Sequence, residues 1–131
     1  MAICFQSNDL LQRVRTHGDW GAWLRWFLRG VEVTARDAAQ RASELMAMRE
    51  RYRTQVAVKA TSVRLLDALF VNPYVSVRRA AQVLGCTPPT AAKAIEELER
   101  RGILTESTGR QWGRMYLAKP ILELLQAPLR T

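Results

Sequence analysis

Cationic and small polar side chains gather in two stretches of the sequence, residues 76–93 and residues 107–114. The first holds two adjacent arginines and, after a glycine, threonines, prolines and a lysine. The second holds two arginines, two glycines and a tryptophan that lies between the glycines. Guanidinium and ammonium groups pair with phosphate oxygens, so these stretches are typical of a surface that binds a polyanion. The candidate binding residues are Arg78, Arg79, Thr87, Pro88, Pro89, Thr90, Lys93, Arg110, Trp112 and Arg114.

Nucleophiles and metal ligands are scarce in comparison. His17 is the only histidine, and Cys4 and Cys86 are the only thiols. A structural zinc site needs four Cys or His ligands at short spacings, which these three scattered residues cannot supply. The sequence also has no glycine-rich loop of the kind that binds phosphate. We therefore expect no catalytic residue, no metal site and no cofactor in this chain.

Two short helices with defined ends position the first stretch. Ser76 is expected to cap a helix over Val77–Leu84, and Gly85 to end it. After a three-residue turn, Thr87 is expected to cap a second helix that has proline at its first position and continues to Arg101.

The helix after Thr87 has one apolar face. Its members recur at helical spacing and must pack on the preceding helices: Ala91, Ala94, Ile95 and Leu98. On the opposite face the N-terminal half is small and polar with a lysine, whereas the C-terminal half is acidic through Glu96, Glu97 and Glu99. A recognition helix enters the major groove with its N-terminal residues, where the free amides and the helix dipole also favour phosphate. The acidic residues are therefore expected to point away from a duplex.

The second stretch lies in a predicted β-hairpin. Two β-branched or aromatic runs, residues 103–106 and 114–118, flank its glycine-containing loop. An earlier helix ended by Asn72-Pro73 and an extended Tyr74-Val75 complete the order helix, strand, helix, turn, helix, hairpin, which is that of a winged helix-turn-helix. The predicted fold is mainly α, with an N-terminal helical region (1–60), a winged helix-turn-helix domain with a small β-hairpin wing (61–119) and a C-terminal helix or tail (120–131).

This arrangement predicts a module that binds double-stranded DNA and regulates transcription. Arg78 and Arg79 would contact phosphate, the helix after Thr87 would enter the major groove, and the hairpin loop would contact phosphate or the minor groove. Residues 61–118 hold eight basic and five acidic residues, a net charge of only +3. Domains of this shape also bind proteins, so docking through the hairpin loop and the acidic half of the helix is the alternative.

No base-specific contact is predicted for the helix after Thr87. The N-terminal half of the helix after Thr87 has no Arg, Asn or Gln, the residues that form bidentate contacts with bases. Homodimerisation, which is common among proteins that bind symmetric sites, stays open as well.

Residues 1–60 are predicted to be helical. Asp19 precedes an apolar series at helical spacing, formed by Trp20, Trp23, Leu24, Phe27, Leu28 and Val31. Gly30 is expected to end or bend this helix, and a longer helix is expected from Thr34 to Val58. Aromatic residues at this spacing most often form a helix–helix core, with an aromatic binding face as the alternative.

Composition indicates a globular protein of the cytoplasm. The chain has 131 residues, 48% of them hydrophobic, and a net charge of +8, so it is expected to form one domain, or one domain with a helical attachment. The longest apolar run, Trp20–Val31, is interrupted by Arg25 and Arg29, and the first residues lack the pattern of a secretion signal. Two distant cysteines also favour a reducing compartment, and no membrane partner is expected.

Several segments resemble the C-terminal portion of Fic (filamentation induced by cAMP) proteins. The most specific is Arg13–Val31, with the order Arg-Thr-His-Gly-Asp-Trp and then Trp-Leu-Arg-Trp-Phe-Leu-Arg-Gly-Val. Asn72–Val77 and Ile95–Leu104 continue the similarity, which covers residues 9 to 125. Fic proteins transfer a nucleotide monophosphate, usually adenylyl from ATP, to a hydroxyl side chain of a target protein.

The resemblance implies a module of such an enzyme rather than the enzyme itself. The family's His-Pro-Phe segment and Gly-Asn-Gly-Arg phosphate cradle are absent, and His17 is followed by Gly18, so no catalytic residue is carried over. A Fic catalytic core is thus an implied partner, and the chain is expected to lack adenylyltransferase activity. A designed truncation and a naturally short gene would each account for the missing segments.

Overall fold

The computed structural model describes residues 2–56 and 59–130, with side chains from residue 6 onward. As predicted, the protein is mainly helical with a small antiparallel sheet. Its elements are α1 (Ala2–His17), α2 (Trp20–Val56), α3 (Ala60–Leu69), β1 (Tyr74–Ser76), α4 (Val77–Leu84), α5 (Pro88–Arg100), β2 (Thr105–Glu106), β3 (Met115–Leu117) and α6 (Lys119–Gln126).

A tight turn joins α1 to α2. Gly18 has a φ of 65°, a left-handed conformation that side chains with a Cβ avoid. Asp19 then accepts a hydrogen bond from the amide of Ala22 at 3.3 Å, which confirms its predicted role as a cap, and its other oxygen pairs with Arg13 at 2.6 Å.

Helix α2 does not end at Gly30, so of the two roles predicted for this glycine the helix end is wrong, and a separate helix does not begin near Thr34. It continues for 37 residues, and the expected end at Val58 lies outside the described residues. An internal glycine costs a helix only about 1 kcal/mol, and the surrounding residues contain no proline and many good helix formers. Despite this length, none of the helices in the described ranges is apolar enough over a sufficient distance to cross a bilayer.

The apolar side chains at the start of α2 are only partly covered in the described chain. Trp20 is 59% exposed and Leu28 is 60% exposed, and Leu24, Phe27 and Val31 are exposed as well. The aromatic rings contact one another along the helix, with Trp23 stacked on Phe27 at 5.3 Å between ring centroids. None of these side chains is fully buried in the described chain, and Trp23 is half-buried, so the expected helix–helix core is not closed there.

The contacts within the chain separate two compact units, residues 1–40 with 129–131 and residues 41–128. The second unit thus begins inside α2, before the expected boundary at residue 61. Leu45, Met48, Tyr52 and Val56 explain this start, because they pack on the core that α3, α4 and α5 form.

Short helices and the small sheet enclose the core of the second unit. Its largest fully buried side chains are Leu65, Leu66, Leu69, Ile95, Leu98, Ile103, Leu104, Ile121 and Val56. The strand order is β1-β3-β2, with Val75 opposite Tyr116, so the predicted hairpin gains a third strand from the segment before α4. The amide of Ala118 donates to the carbonyl of Pro73 at 2.8 Å beyond the end of this strand pair.

The C-terminal segment forms helix α6, one of the two predicted forms. Ile121 is fully buried in the core of the second unit. The guanidinium of Arg41 donates to the carbonyl oxygens of Leu124, Leu125 and Pro128 at 3.1, 3.2 and 2.9 Å. The last carbonyls of a helix have no amide partner within the helix, and the Arg41 guanidinium supplies hydrogen-bond donors and positive charge there.

Replacing Leu98 with alanine is expected to lower the free energy of unfolding by about 2–5 kcal/mol, because the change leaves a cavity at a fully buried site. Urea unfolding followed by circular dichroism measures the effect. Val71→Ala is the control, since Val71 is 88% exposed and its loss is expected to cost less than about 0.5 kcal/mol. Equal losses in the two variants would contradict this account of the core.

Candidate nucleic-acid interface

Helix α4 has the ends that its sequence predicts. The Ser76 hydroxyl accepts a hydrogen bond from the amide of Arg79 at 3.2 Å, and Gly85 ends the helix with a φ of 62°. Arg78 and Arg79 lie in the first turn, and both side chains are exposed. Because consecutive helix residues are about 100° apart around the axis, the two arginines point in different directions.

The start of α5 differs from the prediction in its hydrogen bonds. Thr87 occupies the cap position and its carbonyl accepts from the amide of Ala91 at 3.0 Å, but its side chain caps no backbone amide. Its hydroxyl instead bonds the hydroxyl of Thr90 at 2.9 Å. Pro88 and Pro89 have no N–H to offer, so among the first three helical residues only Thr90 has an amide for a phosphate. The expected contribution of free amides is therefore reduced to one.

Burial of one face determines the rotation of α5 about its axis. Ala91, Ala94, Ile95 and Leu98 are all buried, as their spacing predicts. The side of α5 that faces solvent is thereby determined, and it exposes Pro88, Pro89, Thr90 and Lys93.

The β2–β3 loop, residues 107–114, is organised by the carboxylate of Glu106. A single oxygen of this carboxylate accepts hydrogen bonds from the amide of Thr108 at 2.9 Å, from the Thr108 hydroxyl at 2.5 Å and from the amide of Gly109 at 2.9 Å. These bonds, from the Thr108 hydroxyl first and then from the two amides, lower the pKa of Glu106. Gly109 and Gly113 turn the chain with φ values of 60° and 64°. The ionised carboxylate therefore stabilises the loop.

The loop presents its predicted binding residues to solvent. Arg114 donates from Nε to the carbonyl of Arg110 at 2.9 Å, and both arginine side chains are exposed. Trp112 is 86% exposed and has no covering residue in the described chain. An exposed indole between two arginines is suited to contact with an unsaturated ring or an apolar partner.

An open groove of about 1050 Å³ lies between α4, α5 and the β2–β3 loop. It brings together four predicted residues, Arg78, Pro88, Trp112 and Arg114. It is also lined by residues that were not predicted to bind DNA, among them Gln82 and Glu96. Gln82 could have been found from the sequence, because it follows Arg78 by four residues and so lies on the same side of α4.

The other predicted residues do not line this groove. Arg79 lines a separate pocket of about 250 Å³ together with Val71 and Tyr74, so it is not brought together with Arg78. The remaining predicted residues are exposed on α5 or in the loop, outside the groove lining: Thr87, Pro89, Thr90, Lys93 and Arg110.

The acidic residues of α5 have different surroundings. Glu97 accepts from Arg101 at 2.9 Å and pairs with Arg100, and the hydrogen bond from Arg101 is the main cause of its lowered pKa. Glu96 instead lines the groove beside the candidate cations. Glu96 therefore shares the groove with Arg78 and Arg114, a position that the expectation for the acidic residues did not include.

No three His, Cys, Asp or Glu side chains in the described part of the chain are grouped as a metal site. Compared with protein-family models and with curated proteins, the sequence matches none of them. Arguments about function therefore depend on the groove and on the exposed surfaces themselves.

Replacing Glu106 with glutamine is expected to destabilise the second unit at neutral pH and to have little effect in acid. The pKa of Glu106 is lower in the folded state than in the unfolded state, so its contribution is present above the ordinary pKa of about 4.3 and is lost as pH falls through the folded value. Urea midpoints of both proteins at neutral pH and below pH ~4 test this. A difference between the proteins that stays the same at both pH values would contradict it.

Proposed function

We propose that residues 61–119 form a winged helix-turn-helix that binds double-stranded DNA and regulates transcription. The single observation that carries the proposal is the groove between α4, α5 and the β2–β3 loop, with Arg78 and Arg114 in its lining. In this proposal α5 enters the major groove and the β2–β3 loop is the wing, which contacts phosphates or the minor groove.

The modest net charge of this region agrees with a limited number of phosphate contacts. Arg78, Lys93, Arg110 and Arg114 are exposed, and none of their side chains pairs with a carboxylate in the described chain. Each cation that neutralises a phosphate on binding releases a counterion, so affinity depends steeply on salt.

Fluorescence anisotropy with labelled mixed-sequence duplexes tests the proposal. We expect binding at about 50 mM salt that weakens by orders of magnitude at about 200 mM, with a slope of log K against log salt near −0.9 per phosphate contacted. The variant Lys93→Ala, Arg110→Ala, Arg114→Ala is expected to bind more weakly, with a slope shallower by up to about 3.

A charge-matched variant separates this surface from general attraction. Arg25→Ala, Arg29→Ala and Arg51→Ala remove the same charge from exposed positions of α2. This control is expected to keep most of the affinity for DNA. Absence of binding by the unchanged protein at low salt, or equal losses in the two triple variants, would overturn DNA binding through this surface.

The exposed apolar face of α2 supports a second candidate function, docking on another protein. Trp20, Leu24, Phe27, Leu28 and Val31 are exposed within a few turns of one helix. Contiguous apolar surface of this kind marks interaction sites in folded proteins. Through the resemblance of Arg13–Val31 to Fic proteins, we propose a Fic adenylyltransferase core as the partner, with this chain contributing no catalytic residue.

Size-exclusion chromatography with a separately purified Fic catalytic core tests the docking proposal. We expect a complex that is little affected by salt, because apolar contacts are not screened by ions. Leu24→Gln, Phe27→Gln and Leu28→Gln together are expected to abolish it, whereas Val71→Gln, at an exposed valine of the other unit, leaves it intact. A complex that survives the triple substitution would exclude this face as its basis.

A further inference from the structure

Glu96 lies at a position of α5 that a structural role does not explain. It lines the groove with Arg78 and Arg114, and it is exposed. Its carboxylate forms no hydrogen bond or ion pair with the other described residues, whereas that of the neighbouring Glu97 bonds both Arg100 and Arg101. A free carboxylate on a phosphate-binding surface weakens binding by repulsion.

The solvent-facing stripe of α5 places Glu96 among the residues that would meet base edges. Burial of Ala91, Ala94, Ile95 and Leu98 turns the opposite side of the helix outward. Pro89, Lys93 and Glu96 follow one another on that side at helical spacing, i, i+4 and i+7. Of these three, only Lys93 and Glu96 have side chains that can form hydrogen bonds with bases.

The chemistry of the major groove assigns each of the two a different base. A carboxylate only accepts hydrogen bonds, and it matches the N4 amino group of cytosine, whereas the oxygen and nitrogen acceptors of guanine repel it. An ammonium group only donates, and it matches O6 and N7 of guanine. Three residues advance a helix by about 4.5 Å, close to the step of about 3.4 Å between base pairs.

We propose that Glu96 is a specificity-determining residue that selects cytosine in the major groove, with Lys93 contacting guanine in a neighbouring base pair. This inference rests on the proposed binding of DNA by α5. The acidic residue then lowers the affinity for unrelated DNA and contributes to discrimination among sites.

Selection of bound duplexes from a randomised pool, followed by anisotropy on the selected site, tests the inference. We expect one cytosine whose replacement weakens binding by about 5- to 150-fold, the range of a good base contact. A duplex with 2-pyrimidinone in place of that cytosine, which lacks the 4-amino group, is expected to lose a similar factor. For the variant Glu96→Ala both losses are expected to disappear, while its affinity for unrelated DNA rises.

Glu99→Ala is the matched control, because it removes the same charge from an exposed position of α5 outside the groove lining. It is expected to retain the cytosine preference. Binding of DNA with no cytosine preference, or with the same preference in the Glu96→Ala variant, would overturn this inference and leave the proposed function intact. Failure of the unchanged protein to bind any duplex at low salt would overturn both.

Discussion

The buried stripe of α5 is the constraint on which the candidate interface depends. Ala91, Ala94, Ile95 and Leu98 pack against the core, and their small or branched side chains fit only one rotation of the helix about its axis. Since rotation of a helix moves all its side chains together, burying these four determines which residues face solvent. The position of Lys93 and Glu96 on the outer side thus follows from packing.

A second constraint holds the β2–β3 loop beside that helix. Pairing of β3 with both β1 and β2 anchors the two ends of the loop in the sheet, and Tyr116 is buried in the core. Glu106 then orders the turn through bonds to the Thr108 and Gly109 amides. With its ends and its first turn held in this way, the loop completes one side of the groove together with α4 and α5.

Local chemistry made the second unit predictable from sequence. Ser76 and Gly85 delimit α4 because a hydroxyl can accept from a free amide and because glycine adopts positive φ readily. The prolines after Thr87 predicted the start of α5 correctly, yet the Thr87 hydroxyl bonds the hydroxyl of Thr90 and not a backbone amide, although Thr90 keeps its N–H. In both cases the interactions involve residues close together in the chain.

Predictions that assigned one role to neighbouring residues, or that considered one residue alone, were less successful. The spacing of Arg78 and Arg79 on α4 predicts that they point in different directions, but it does not show that Arg78 lines the groove with Arg114 whereas Arg79 lines a pocket with Val71 and Tyr74. Glu96 was assigned with its acidic neighbours, but only Glu97 pairs with the arginines that follow. At Gly30 the local preference of glycine was outweighed by the helical preference of the residues on both sides.

The exposed start of α2 bears on how this protein exists in a cell. Apolar side chains at helical spacing are normally buried, since each square ångström of apolar surface removed from water stabilises the folded state by about 25 cal/mol. Trp20 and Leu28 retain more than half of their exposure, so the described chain gains little of this stabilisation there. A free surface of this kind favours association, and a partner that covers it would contribute through apolar contact rather than through charge. The two proposed functions therefore involve different forces, and their different dependence on salt follows from that difference.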